Sequence, residues 1–145
     1  MPVGDRRDPF LSYNFIVEID GIARAGFREA SGLDSSQDPV EYREGTDAFT
    51  SRKLPGMVKY GNITLKWGTT ADQELLKWRQ QSADGKVKRR NGSIVLLDGA
   101  GQEKVRWNFH EAWPTKWTGP SFNATGNEVA IETLELAHEG LALQG

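Results

Sequence analysis

Between positions 58 and 67 apolar and polar residues come to alternate with a period of two: Ile63, Leu65 and Trp67 fall on one side, Asn62, Thr64 and Lys66 on the other. Successive side chains of an extended chain project to opposite faces, so this stretch reads as a strand with one face buried and one wet. The period returns at Tyr13, Phe15, Val17 and Ile19, whose other side carries mostly Asn14, Glu18 and Asp20. It returns again at Val105, Trp107 and Phe109, alternating with Lys104, Arg106, Asn108 and His110, and runs towards Trp113 until Pro114 interrupts it. Further strands are expected over 22–30, weakened by Gly26, over 40–44 after the Asp38-Pro39 turn signal, and over 94–97. Asp20-Gly21, Asn91-Gly92 and Asp98-Gly99 read as hairpin turns. The last strand, 128–138, changes phase: Val129 and Ile131 are odd-numbered but Leu134 and Leu136 even, which predicts a β-bulge.

One stretch has the other period. Thr70-Ala71-Asp72-Gln73 has capping-box form, and Ala71, Leu75 and Trp78 recur at helical spacing through Gln81, giving one amphipathic helix laid across a sheet face. Residues 44–56 follow neither period, hold Gly45, Pro55 and Gly56, and read as a long exposed loop or hairpin tip. Seven or so strands and one helix on a single core make residues 1–145 one mostly β domain, a β-sandwich or partly open barrel. Such a fold has edges. An unmanaged edge strand aggregates, so a β domain without obvious edge prolines is expected to pair its edges with copies of itself.

Composition narrows the chemistry. There is no cysteine, so disulfides, thiolate metal sites and a Cys nucleophile are excluded. Only His110 and His138 are present, in no metal-binding spacing, which excludes a three-His zinc site. Glu132 and Glu135 are three apart, and on a strand that spacing sends them to opposite faces, unlike a catalytic carboxylate pair. Gly99-Ala100-Gly101 lacks the third glycine and following helix of a phosphate cradle and reads as a turn. The basic run Lys86-Val87-Lys88-Arg89-Arg90 has no stacking aromatics and sits in a chain of formal charge −2, so a solvated strand or charged lining outweighs nucleic-acid contact. Trp67, Trp78 and Trp107 fall on apolar phases and are expected in the core; Trp113 and Trp117 are open to core or interface. No apolar run approaches eighteen residues and the start lacks a signal-peptide h-region, so no membrane anchor and cytoplasmic synthesis are expected, with the sequons at Asn62, Asn91 and Asn123 unused. No enzyme activity and no cofactor are expected.

Several segments then carry a family likeness. Asp8-Pro9-Phe10-Leu11-Ser12-Tyr13-Asn14-Phe15, Phe27-Arg28-Glu29-Ala30-Ser31-Gly32-Leu33, the central 52–68 segment from Arg52-Lys53-Leu54-Pro55-Gly56 to Trp67-Gly68, Ala112-Trp113-Pro114-Thr115-Lys116-Trp117 and residues 127–140 resemble, in this order, the tube proteins of contractile phage tails. Within that family the chain is most similar to the short tube proteins of extracellular contractile injection systems. The resemblance implies hexameric rings stacked into a hollow tube inside a sheath, with baseplate and spike proteins as partners and cargo effectors passing through the lumen. On this reading Arg52, Lys53, Leu54, Pro55 and Gly56 are subunit-interface candidates. Asn62, Thr64, Lys66, Glu128 and Glu132 are candidates for the wet lumen surface. Two other functions share the fold: a phage virion tube serving DNA ejection, and a monomeric β-sandwich binding module.

Overall fold

The computed structural model describes residues 9–12, 14–20, 22–43, 45 and 51–144, residues 22–25 by their backbone alone. Tyr13, Gly21 and residues 44 and 46–50 of the expected loop lie outside the described residues. The elements are β1 (Phe15–Ile19), β2 (Ile22–Ala25), β3 (Glu29–Ser31), β4 (Ser36–Tyr42), β5 (Arg52–Lys59), β6 (Ile63–Gly68), α1 (Glu74–Ala83), β7 (Arg90–Leu97), β8 (Glu103–Thr118), β9 (Ile131–Ala137) and β10 (Gly140–Gln144). Pairing runs β2-β1-β7-β8-β9-β6-β3, with β10 also on β8, while β4 and β5 form a ribbon of their own. The path ends on β2 and β3, which do not pair with each other, so the sheet is an open sandwich and not a closed barrel.

β8 joins the two halves. Its first part pairs with β7 and β10 and its second with β9. Between Phe109 and Ala112 it holds one residue more than β7 does between Gly92 and Arg90, and Glu111 takes a left-handed φ of 56° there. The amide of this bulge donates to Asn91 Oδ1 at 3.1 Å. Asn91-Gly92 is therefore part of β7 and not the expected turn: a Cβ on Gly92 would lie 2.4 Å from Phe109 Cζ and 2.6 Å from the Glu18 carbonyl oxygen. Pro114 does not end the strand either. It lies buried opposite Leu136, beside a second irregularity before Lys116, where a missing N–H is tolerated.

The core draws on both halves: Val17, Ile94 and Phe109 from one, Ile63, Leu65, Leu134 and Leu136 from the other, with Leu75 and Trp78 of α1. Full burial of such side chains stabilises the fold by about 1.5–3 kcal/mol each. Trp67 and Trp78 are core as expected, Trp117 packs against it, and Trp107 and Trp113 are half-buried. The helix starts later than its sequence signal. Gln73 is the N-cap and makes no side-chain cap bond, while Thr70 Oγ1 accepts from the Asp72 amide, so the capping box is not formed and Ala71 is exposed.

Three further expectations change. The 22–30 strand is two strands, β2 on β1 and β3 on β6, with residues 26–28 crossing between the halves. The 58–67 strand is likewise split at residues 60–62. In β9 the phase is uniform, with Glu132, Leu134 and Leu136 all inward and an unbroken register against β6, so the bulge expected near 131–134 is absent. The odd-numbered Val129 lies outside the strand and is exposed. The Asp98-Gly99 turn is as expected: Asp98 Oδ1 accepts the Ala100 and Gln102 amides, each at 2.9 Å.

Candidate assembly surface

The β4–β5 ribbon is an arm on which nearly every residue is exposed. Val40, Tyr42, Leu54, Met57 and Val58 are 43–79% exposed, Met57 the most. Register places Val40 opposite Leu54 and Tyr42 opposite Arg52, so these share one face, while Glu41 and Lys53 pair on the other. Single exposed apolar residues are ordinary, but Val40, Tyr42 and Leu54 on one face, with Met57 at the register shift and Val58 on the other face opposite Gln37, give the ribbon exposed apolar surface of the kind that marks a contact. The residues singled out as interface candidates, Arg52, Lys53, Leu54, Pro55 and Gly56, are all in β5. They belong to the arm, but to its paired strand and not to a loop, which corrects the loop reading of 44–56 over this part.

The root of the arm is fixed. Gly32, at φ 92°, passes so close to Asn62 that a Cβ would meet its carbonyl oxygen at 2.0 Å. The Gly61 amide donates to Asp34 Oδ1 at 2.7 Å, and His138 Nε2 lies 3.0 Å from the Gly61 carbonyl oxygen. The His138 ring packs between Tyr60 and Phe109, at 5.5 and 6.4 Å between centroids. His138 thus ties the start of β6 to the core, a structural part that its sequence context did not reveal. Along the arm Gln37 Nε2 donates to the Gly56 carbonyl at 2.8 Å, and Lys59 pairs with Asp38 at 2.8 Å in full solvent, where an ion pair contributes little.

Of the proposed lumen residues, Thr64 and Lys66 share the outward face of β6 with their partners Glu135 and Thr133 on β9 and Ser31 and Glu29 on β3. Lys66 Nζ lies 3.2 Å from Glu29 Oε2. Lys66 and Glu128 line one cleft of about 480 Å³ with Asn123 and Thr133. Asn62 is exposed just ahead of β6. Glu132 is separated from these four. It is 3% exposed on the core side, opposite Trp67, and its Oε1 accepts from Trp117 Nε1 at 3.1 Å. The strand's regular phase puts it inward, so it offers no wet surface in the subunit. Glu135, Glu29, Ser31 and Thr133 were missed because only strand pairing, not local pattern, brings them to this face.

Among the described residues no three His, Asp or Glu side chains converge on a metal position, and no helix is long and apolar enough to cross a membrane. Glu132 and Glu135 face opposite ways, as their spacing requires. His110 is exposed. Glu103 and then Glu18 hold the Arg106 guanidinium above its ordinary range; the 2.5 Å pair with Glu103 lies within β8, and the 2.8 Å pair with Glu18 ties β8 to β1.

Residues 11–142 match the sequence model of the T4-like virus tail tube protein gp19. A chain of the PVC sheath–tube complex, an extracellular contractile injection system in its extended state, is 35% identical over 94% of this chain and 91% of its own, with a TM-score of 0.84. A chain of the anti-feeding prophage tube-terminating cap is 35% identical, covering 96% and 93%, with a TM-score of 0.86. Hcp1 from Flavobacterium johnsoniae, 19% identical over 92% of this chain and 96% of its own, shares the fold at a TM-score of 0.65. No curated protein matches the chain significantly.

Proposed function

The chain belongs to the T4-like virus tail tube protein family, and on that premise we propose that it closes into six-subunit rings that stack as the hollow inner tube of a contractile injection particle. The arm is the observation that carries this reading. A ribbon exposing Val40, Tyr42, Leu54, Met57 and Val58 to water has no core of its own, and a neighbouring subunit would cover it. Arg52 to Gly56 are then interface residues. Free edges at β2, β3 and β10 give further places for strands of adjacent copies to meet.

In this assembly Thr64 and Lys66, with Asn62 and Glu128 beside them, form a polar wall facing the lumen, joined by Glu29, Thr133 and Glu135. A charged, hydrated wall lets cargo pass without adhesion. Sheath, baseplate and spike proteins are its partners, assembly takes place in the cytoplasm, and the role is mechanical and not enzymatic. The 35% identity to chains of two injection particles favours such a particle over a virion tube that ejects DNA. Native mass spectrometry over a wide concentration range tests the proposal: six-fold species and their stacks are expected, and a strict monomer even in the presence of a baseplate would refute it.

A further inference from the structure

Two features remain outside that reading. The first is a cleft of about 170 Å³ at the start of α1, lined by Trp67, Leu75 and Leu76 and by the acidic residues Asp72, Glu74 and Glu132, with Asp72 Oδ1 accepting from the Glu74 amide at 3.2 Å. Glu132 is only 3% exposed, and among the described residues only one of its oxygens is used: Oε2 is buried with no hydrogen-bond partner. A buried carboxylate oxygen left unpaired is costly, and among the described residues no basic one lines the cleft to offset it. The exposed carboxylates of Asp72 and Glu74 alone outweigh the roughly half positive charge of a helix N-terminus. The cleft suits one cation on an aliphatic stem, its apolar walls taking the stem.

The second is the basic run beyond the other end of α1. Lys86, Val87, Lys88 and Arg89 are exposed, and among the described residues their side chains make no ion pair or hydrogen bond. Their backbone is nevertheless fixed. The Lys86 amide donates to the Gln81 carbonyl at 2.9 Å, Trp78 Nε1 donates to the Lys88 carbonyl at 2.7 Å, and Arg90 stacks over the Trp78 ring at 5.6 Å. The cations are therefore presented from a rigid backbone, which lowers the entropy cost of a contact.

We propose that these are the two halves of a head-to-tail contact, in which the 86–89 run of one copy places a cation in the Glu132 cleft of the next copy. Within one subunit they cannot meet: α1 alone separates them by about 15 Å, and charges farther apart than about 8 Å are screened at physiological salt. Two different patches that complement each other give a heterologous interface, the kind that closes rings or extends filaments. The inference rests on the tube-subunit reading and assigns that reading one specific interface.

Charge reversal tests it. Asp72→Lys with Glu74→Lys, and separately Lys88→Glu with Arg89→Glu, change exposed residues only. Each pair should raise the concentration needed for assembly at least about tenfold. An equimolar mixture of the two proteins, or all four changes in one chain, should restore it, because the reversed patches again complement each other. Glu132→Gln keeps an acceptor for Trp117 and should weaken assembly without help from the rim changes. If it fails to fold, the exposed swaps still decide. Assembly of both reversed proteins at the wild-type concentration, or no restoration in either rescue, overturns the proposed contact. Failure of the wild-type protein to assemble in the same assay would instead overturn the tube reading itself.

Discussion

Replacing Met57 by Ser should separate folding from assembly. Met57 is 79% exposed on the arm, so its side chain contributes little within the subunit. A surface change of this kind stays within about 0.5 kcal/mol of wild type, which for a domain of this size moves the melting temperature by about 2–3 °C or less. In the assembly the account covers it with a neighbour. Full burial of a Met side chain stabilises by about 1.5–3 kcal/mol, and the four-fifths of it still exposed here corresponds to about 1.2–2.4 kcal/mol per contact. At about 1.4 kcal/mol per factor of ten, Met57→Ser should raise the critical concentration for tube formation by about 7- to 50-fold. Circular dichroism melting and sedimentation of assembled tubes measure the two quantities on one preparation. An unchanged critical concentration in a folded protein would refute the view that the arm's exposed apolar surface is a contact. A melting temperature lowered by well over 5 °C would show that Met57 packs inside the subunit.

Gly92→Ala should destabilise the subunit by about 1–3 kcal/mol, since the added methyl meets both the Phe109 ring and the Glu18 carbonyl; denaturant melts measure it. His138→Ala should lower stability by about 1 kcal/mol and increase amide exchange at residues 60–62, because the ring joins Gly61 to the core, whereas His110→Ala should change neither. The Asp98 carboxyl is held below the usual carboxylate range, first by the Gln102 amide and then by Ala100 and Lys104. Its contribution is therefore fully present above the ordinary Asp range and is lost as pH falls through the lower folded value. The Gln102 amide should stay protected at pH 5 and exchange faster only in stronger acid, and Asp98→Asn should remove that pH dependence.

The strongly periodic segments of the sequence map directly onto the fold. Ile63, Leu65 and Trp67 alternate because one face of β6 is core, and Leu75 and Trp78 repeat at helical spacing because one side of α1 meets the sheet. What local pattern could not reveal depends on pairing. Asn91-Gly92 has the composition of a hairpin turn, yet Gly92 is needed where three strands crowd and Asn91 is needed to satisfy a bulge on β8. Glu132 reads as polar and outward, but its phase matches Leu134 and Leu136, and the apparent phase change vanishes once a carboxylate is allowed inside with Trp117 as donor. The arm was hardest to read. Its strands have no buried face within the subunit, so burial imposes no alternation on them and the ribbon looks aperiodic in its own sequence.

The most direct test of the account is a cryo-electron microscopy reconstruction of the assembled protein. The account predicts a hollow six-fold tube in which the β4–β5 arm lies against a neighbouring subunit, with Val40, Leu54 and Met57 covered and Thr64 and Lys66 facing the channel. A tube whose arms remain in solvent, or a protein that forms no tube under any condition, would contradict it.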